Sequence, residues 1–359
     1  MAVAPKENKV APDTVFTLEI YKFERVGGGF GMDDNARVIA KESFEGKRKP
    51  KKKKGDGKAV CFKMFFLLPA VAFLALFMYY PIEETFRLSL MRATGLGDAV
   101  YIGLQNYTRL FENFFQNLFS GEYNNVEFQA GFVHVFAWAF WSVVIQIPLA
   151  FFIAFSLSAY KNKITGPLRA VYYLAYIMPS VITAMLGRFV FAPRYGVIAT
   201  LAATLGWDWL GKIDFMGDPK LAFWSVFTVA TWAYSGFGIV YLMANIEQIP
   251  VELREAASLD GANRWQYARY VVAPMLSYPL RIMAILCVVG SLKVFDLPYL
   301  ITKGGPSYYT YTLGISLYNQ GFVNWQYGKA AAIGVVIFLC SLIFTVVQFS
   351  LQRKDGELE

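Results

Sequence analysis

The sequence predicts an all-α integral membrane protein, and three features lead to that fold class: the composition, the long apolar runs and the positions of the basic residues. Hydrophobic residues make up 56% of the 359 residues and charged residues only 17%, which is too apolar for an ordinary soluble domain. Six runs are mostly apolar over roughly 17–25 residues, the length that crosses a bilayer as a helix. A buried soluble core would explain one such run but not all of them. The predicted spans are 64–80, 133–159, 168–187, 221–244, 282–300 and 330–351.

Basic residues indicate which side of the membrane each loop occupies. The run KRKPKKKK at 47–54 precedes the first span, and Arg353 and Lys354 follow the last one. Further Lys and Arg residues gather in the loops after the second and fourth spans. Because membrane proteins concentrate Lys and Arg in their cytoplasmic loops, both termini are predicted to be cytoplasmic. The outer loops are then 81–132, 191–220 and 301–329.

Residues 1–60 are polar and differ in composition from the predicted transmembrane domain, 61–359. We expect them to form a loosely ordered cytoplasmic extension whose basic run holds the first span against anionic lipid. A small folded regulatory domain, or a strand at 15–23 that pairs with a partner, is the alternative. The basic run has no interleaved aromatic residues and adjoins a membrane span, so nucleic acid is not an expected partner.

Catalysis by this chain is not expected. The three cysteines, Cys61, Cys287 and Cys340, lie in or beside apolar runs and have neither the pattern of a disulfide framework nor the spacing of metal ligands. The only histidine, His134, begins an apolar run and is expected at the membrane interface. The sequence does not contain the phosphate-binding pattern GxxxxGK[ST]. The chain is therefore predicted to be no enzyme and to hold no metal or cofactor of its own.

A polar segment between two apolar runs, 249–276, reads as a rigid helical elbow. Pro250 suits the first turn of a helix, where its missing N–H has no cost. Gly261 can adopt the left-handed conformation that ends this helix. Asn263 then caps a second helix, with Gln266 placed to complete a capping box, and Pro274 ends the segment. The pattern predicts two short helices and not an irregular, flexible loop.

The first helix of the elbow displays small residues beside acidic ones. Ala256 and Ala257 would let another surface approach closely, and Glu255 offers a carboxylate to a basic group of a partner. The alternative is an interfacial helix that lies on its own membrane domain.

The elbow carries a resemblance to a known family. Glu255-Ala256-Ala257, then Gly261, then the apolar-Ala-Pro sequence at 272–274 resemble the EAA motif of binding-protein-dependent ABC importer permeases. Other segments are similar to the carbohydrate uptake group of these permeases, which contains the maltose and glycerol-phosphate permeases. They are YIGLQNYTRLF at 101–111, RAVYYLAYIMPSVITAMLGRFVFAPRYGVI at 169–198, DGANRW at 260–265 and VFDLPYLITKGGP at 294–306. The resemblance covers about residues 62–352 and leaves the first 58 residues outside it.

The resemblance implies a type I ABC importer permease fold with six transmembrane helices in a bacterial cytoplasmic (inner) membrane. It also implies four kinds of partner: a second permease chain in a heterodimer, two ATPase subunits that use ATP and Mg, an extracytoplasmic solute-binding protein and a sugar. The elbow would be the coupling element that docks on an ATPase. The coupling residues would be Glu255, Ala256, Ala257, Asp260 and Gly261.

Polar and aromatic side chains inside the fourth and fifth spans indicate a solute pathway, because such groups are costly in lipid. Tyr and Trp rings stack on sugar faces, while hydroxyls and amides bind sugar OH groups. Similarity to the maltose permease implies that Ala233, Tyr234, Phe237, Ser291 and Val294 line the pathway, and Lys293 and Asp296 are added as charged candidates. The alternatives are helix packing for the aromatic rings and a local ion pair for Lys293 and Asp296.

The leading hypothesis is therefore a permease subunit of a sugar importer. A permease for glycerol-phosphate or another polar solute is the near alternative, in which Lys293 or Arg188 would face the solute. An ion-driven secondary transporter would require paired charges near mid-span and an inverted repeat of broken helices, and neither is evident in the sequence. A membrane scaffold or sensor would account for the polar extension but not for the elbow.

Overall fold

The computed structural model describes residues 25–26, 29–30, 57–95, 97–159 and 165–356. They belong to two compact units, Met1–Leu74 and Ala75–Glu359. Most of the predicted extension at 1–60, including the proposed strand at 15–23 and the basic run at 47–54, lies outside the described residues. The predicted domain boundary at residue 60 therefore stays a prediction.

Within the first unit, the described residues form a short hairpin and one helix. Strands β1 (Arg25–Val26) and β2 (Gly29–Phe30) pair antiparallel. Helix α1 (Gly57–Leu74) contains Pro69 in its interior, a position that membrane helices tolerate better than soluble ones.

The second unit is almost wholly helical, with one small antiparallel pair of strands, β3 (Met91–Arg92) and β4 (Val100–Tyr101), among its described residues. Its helices are α2 (Tyr80–Ser89), α3 (Gln105–Leu110), α4 (Phe114–Ser120), α5 (Glu127–Trp141), α6 (Ile147–Ala159), α7 (Thr165–Ile177), α8 (Ser180–Val190), α9 (Val197–Thr204), α10 (Asp208–Gly211), α11 (Pro219–Ile246), α12 (Val251–Leu259), α13 (Arg264–Tyr267), α14 (Ala273–Met275), α15 (Ser277–Leu292), α16 (Asp296–Thr302), α17 (Leu313–Tyr318) and α18 (Tyr327–Gly356). A 3₁₀ turn covers Glu122–Asn125, and π-helical turns cover Ala75–Tyr79, Ser142–Gln146, Ala268–Val272 and Asn319–Val323.

Four helical stretches of the described chain are long and apolar enough to cross a membrane, and six do so if each of two bent pairs counts as one span. The straight stretches are Met64–Ser89, Glu127–Ala159, Pro219–Ile246 and Tyr327–Ser350. They match the first, second, fourth and sixth predicted spans. The all-α membrane fold is thereby confirmed, while the number of spans stays a prediction.

The predicted third span, 168–187, is a bent pair and not one helix. Helix α7 ends at Ile177, α8 begins at Ser180, and the two axes differ by 102°. Pro179 explains the break, because it lacks the N–H that would continue the helix and disfavours helical geometry in the residue before it. Apolar side chains run through the break, so hydropathy alone does not reveal it.

The predicted fifth span, 282–300, lies too far along the chain. Helix α15 begins at Ser277, after a bend of 74° from the helical segment Arg264–Met275, and it ends at Leu292. The short helix α16 follows after a break. Leu297 and Ile301 of α16 are buried in protein. Because buried side chains are apolar like those that face lipid, the segment has the hydropathy of a membrane span.

The core is arranged around α11. In the most apolar stretch of this helix, 67% of the residues are buried. One half of α11 packs with Trp138, α8 and α16, and the other half packs with α6 and Met283. A third cluster joins α5, α15, α17 and α18. Close approach of α7 to α11 depends on Gly236, where an added Cβ would lie 2.3 Å from the carbonyl oxygen of Tyr172.

Candidate solute pathway and coupling site

Six of the seven residues predicted for the pathway line one cavity of about 520 Å³. The cavity lies between the middle of the second span, α7, α11 and the break that follows α15. The predicted residues in its wall are Tyr234, Phe237, Ser291, Lys293, Val294 and Asp296. The seventh, Ala233, is 4% exposed and packs in the cluster with Trp138 and α8 instead.

Two polar residues of the second span complete the cavity and were not anticipated. Ser142 and Gln146 lie at the ends of a π-helical turn in the middle of an apolar span. Such turns are rare and frequent at functional sites. The sequence did carry a signal, because these two polar residues interrupt an apolar run. Their spacing of four positions places both on one helix face.

A small hydrogen-bond network holds this polar wall. The Ser291 hydroxyl lies 2.7 Å from the carbonyl oxygen of Cys287 and 3.3 Å from the Ser142 hydroxyl. The Cys287 thiol approaches Oε1 of Gln146 at 3.9 Å. Within the described chain, the amide nitrogen of Gln146 has no hydrogen-bond partner. It is therefore free to donate to a group inside the cavity.

Aromatic rings line the cavity as well. Tyr176 of α7 and Phe237 of α11 have ring centroids 5.5 Å apart, and both line the cavity. Phe237 also stacks on Tyr241, one turn further along. Tyr176 was not among the predicted residues, because its place in the wall depends on the bend between α7 and α8. Gly236 faces α7, while Gly238 lines the cavity.

Lys293 and Asp296 flank the break between α15 and α16. Both are exposed and both line the cavity. The ion pairs of the described residues join Arg87 to Glu84 and Arg169 to Glu247, so the alternative of a local pair between Lys293 and Asp296 has no support. Arg188, the other cation considered for an anionic solute, lines a different cavity with Asp214 and Pro306.

The elbow has the capping geometry that the sequence indicates. Gly261 has a φ of +76°, its N–H donates to Ser258, and the N–H of Ala262 donates to Ala257. These are the two hydrogen bonds of a Schellman ending. Asn263 and Gln266 form a reciprocal capping box at 2.8 and 2.9 Å. Pro250 differs slightly from expectation, since it is the cap that precedes α12 and not part of its first turn.

Helix α12 has no buried residue. Leu259 is 90% exposed, and the predicted coupling residues Glu255, Ala256, Asp260 and Gly261 are exposed as well, with Ala257 half-buried. An isolated helix of nine residues is marginal in water without a packed face. The exposed face of α12 is therefore available to a partner, and the choice between such a partner and an interfacial position on its own membrane domain stays a prediction.

His134 is buried in protein, while its position at the membrane interface stays a prediction. It is 7% exposed, and its Nδ1 lies 3.3 Å from the carbonyl oxygen of Tyr311. The rings of Tyr123, Phe223 and Tyr309 surround it. Because the loop that contains Tyr311 folds back over α5, the position of His134 at the start of an apolar run did not reveal its burial.

Comparison with known proteins identifies the family. The family described as "Binding-protein-dependent transport system inner membrane component" matches residues 146–354, more than half of the chain. The probable ABC transporter permease protein YurN of Bacillus subtilis is 31% identical over 296 residues, which are 81% of this chain and 96% of that protein. The trehalose/maltose transport system permease protein MalF of Thermococcus litoralis is 28% identical over 288 residues, 80% of this chain and 92% of that protein.

A solved structure shares the fold. It is a chain of a bacterial alginate ABC transporter in complex with an alginate pentasaccharide-bound periplasmic protein, with a TM-score of 0.70 and 20% identity. The match covers 85% of this chain and 98% of that one. The resemblance to ABC importer permeases is thereby confirmed, and the chain belongs to the family of binding-protein-dependent transport system inner membrane components.

Proposed function

We propose that this chain is a permease subunit of an ATP-driven, binding-protein-dependent sugar importer. The observation that carries the proposal is the cavity, which is lined by aromatic rings together with hydroxyl and amide groups. The family places the chain among membrane components of transport systems. MalF of Thermococcus litoralis is named for trehalose and maltose transport, and this name supports a saccharide as the solute.

The aromatic and the polar groups of the cavity have distinct roles in this proposal. The rings of Tyr176 and Phe237 stack on the apolar face of a sugar ring. The amide of Gln146 and the hydroxyl of Ser291 bind sugar OH groups, replacing the water that the sugar loses on entry. Most of the cavity wall is uncharged, which favours a neutral saccharide.

Lys293 supports a second candidate solute, glycerol-phosphate or another polar anion. Its exposed ammonium lines the cavity with no ion-pair partner in the described chain. Asp296 lines the same cavity and opposes this role, because a carboxylate repels an anion. A neutral sugar therefore remains the proposal.

The elbow couples the permease to ATP in this proposal. Helix α12 docks on a cytoplasmic ATPase subunit, with Glu255 paired to a basic group and Ala256 and Ala257 allowing close approach. The absence of buried residues in α12, most of whose residues are exposed, supports this role. ATP and Mg belong to two ATPase subunits, whose closure moves the elbow as a rigid body. This chain supplies no catalytic residue.

The remaining assembly follows from the same proposal. A second permease chain completes the pathway, and a heterodimer is the expected arrangement. A solute-binding protein delivers the sugar on the outer side, as the periplasmic protein in the alginate complex suggests. The location is the bacterial cytoplasmic membrane with both termini in the cytoplasm.

The test is ATP-dependent sugar uptake by vesicles that contain the purified complex. Glu255→Ala combined with Gly261→Pro is expected to abolish uptake and to remove the ATPase from the purified complex. A matched control changes another exposed acid and another glycine with positive φ, Glu122→Ala with Gly121→Pro, and keeps the ATPase bound. Uptake driven by an ion gradient without any ATPase would overturn the proposal.

A further inference from the structure

We propose that the chain binds one anionic phospholipid where the first span ends and the last span begins. The phosphate is held by three cations, Arg92, Arg109 and Lys329, and an acyl chain lies in the adjoining apolar groove. The proposal is independent of the solute and of the coupling role described above.

The three cations line a cavity of about 200 Å³. Its other polar groups belong to Thr94, Asn106 and Gln326, and no acidic residue contributes to its wall. The ion pairs of the described residues include none of the three cations. Cations brought together without an acid repel one another, so the pocket is suited to an anion about the size of a phosphate group.

The pocket is built by backbone and not by flexible side chains alone. Gly328 lies in the first turn of α18, where an added Cβ would be 2.0 Å from the carbonyl oxygen of Met91. This contact places Arg92 beside Lys329. Asn106 is 7% exposed, and its amide donates to the carbonyl oxygens of Ser89 and Met91 at 2.8 and 2.9 Å. The start of the 30-residue helix α18 adds its positive dipole end to the same site.

A largely apolar groove of about 600 Å³ adjoins the pocket. Its apolar wall includes Phe86, Leu90, Leu104, Val335 and Leu339. Glu83 and Arg87 also line it, and Arg87 is paired with Glu84.

The groove and the pocket lie on the two sides of a shared wall. Ser89 and Tyr107 line the groove and are joined by a hydrogen bond of 2.8 Å, while Asn106, next in the chain, lines the pocket.

The position of this pair of cavities matches a lipid in the membrane. The stretch Met64–Ser89 ends, and Tyr327–Ser350 begins, at the level of the pocket. From Lys329 to Leu339 the helix rises about 15 Å, roughly half the hydrocarbon thickness of a bilayer. A headgroup phosphate would thus lie at the boundary, with its acyl chain directed inward. The apolar groove is the reason to infer a lipid and not a free anion.

Native mass spectrometry of the full-length chain, purified in mild detergent with its accompanying subunits, tests the proposal. The probes are phosphatidylglycerol, phosphatidylcholine with the same acyl chains, and inorganic phosphate. We expect one phosphatidylglycerol to be retained per chain, in preference to phosphatidylcholine. Because a cation near anionic lipid contributes about fivefold, Arg92→Gln, Arg109→Gln and Lys329→Gln together should weaken retention roughly 100-fold.

Two further variants make the result specific. A control removes three other exposed cations, Arg194→Gln, Lys212→Gln and Lys220→Gln, and should retain lipid as the wild type does. Leu339→Trp fills the groove and should weaken lipid retention while leaving the three cations in place. Equal retention by the triple variant and the control would overturn the proposal. So would displacement of phosphatidylglycerol by inorganic phosphate, or retention of phosphatidylcholine to the same extent.

Discussion

At the scale of single residues, Gln146 offers the sharpest test of the cavity. Its amide nitrogen has no partner within the described chain, so a bound sugar is the group that would use it. Gln146→Leu keeps the size of the side chain and removes the amide. We expect KM for uptake to rise about tenfold, the effect of losing roughly 1.4 kcal/mol of hydrogen bonding.

The matched control is Gln105→Leu, which removes an exposed amide far from the cavity lining. It should leave KM unchanged. Uptake kinetics of Gln146→Leu equal to those of the control would show that the amide does not contact the solute.

Gly236 tests a residue that acts through packing. The Cβ of an alanine there would lie 2.3 Å from the Tyr172 carbonyl oxygen, so α7 and α11 would have to move apart. We expect Gly236→Ala to cost about 1–3 kcal/mol, as overpacked sites do, and to lower the thermal unfolding midpoint in detergent. Gly166→Ala, where an added Cβ meets no atom within 4 Å, is the control and should leave the midpoint unchanged or slightly higher. Equal midpoints would rule out the close contact.

At the scale of elements, a change in the capping box of α13 tests whether fraying of that helix affects docking of the ATPase. Asn263→Ala removes the side chain that accepts from the Gln266 N–H at 2.9 Å. The loss of such a cap costs about 1 kcal/mol, so α13 should fray without changing the exposed face of α12. We expect uptake to fall a few-fold while the ATPase stays in the purified complex. Complete loss of the ATPase would mean that α13, and not only α12, forms the docking surface.

The elements of this chain were predictable where local chemistry decides them. The Schellman ending at Gly261 and the capping box at Asn263 depend on neighbouring residues, and both were anticipated. The break at Pro179 carried a local signal too, but a continuous apolar run masked it. The end of α15 at Leu292 carried none, because buried apolar residues continue beyond it.

The residues of the candidate site also divide into those that the sequence predicted and those that it did not. Tyr234, Phe237 and Ser291 lie within regular helices, α11 and α15, and the resemblance to the maltose permease was enough to assign them to the pathway. Tyr176, Ser142 and Gln146 reach the cavity through a bend and a π-helical turn. Those features depend on how helices pack against one another, and periodicity within one helix does not report them.

At the scale of the whole molecule, one ion pair bears on how often the chain crosses the membrane. Pro219–Ile246 is a straight span, so Glu247, directly after it, lies on the opposite side from Pro219. Arg169, near the start of α7, pairs with Glu247 and so lies on the Glu247 side. We therefore predict that the chain crosses the membrane between Arg169 and Pro219, and that the bent pair α7–α8, despite its bend of 102°, provides this crossing as a broken span.

This argument makes a prediction about sidedness. In a cysteine-free variant, single cysteines are introduced by Ser120→Cys, Asp208→Cys and Ser258→Cys, each at an exposed position. A membrane-impermeant thiol reagent applied to intact cells should label the first two and not the third. Opened cells, in which all three are accessible, provide the control. If the bent pair turned back without crossing, Ser120 and Asp208 would lie on opposite sides, since only the second span separates them. Labelling of Ser120→Cys together with Ser258→Cys, and not of Asp208→Cys, would therefore reduce the number of spans below six and place α12 outside the reach of a cytoplasmic ATPase.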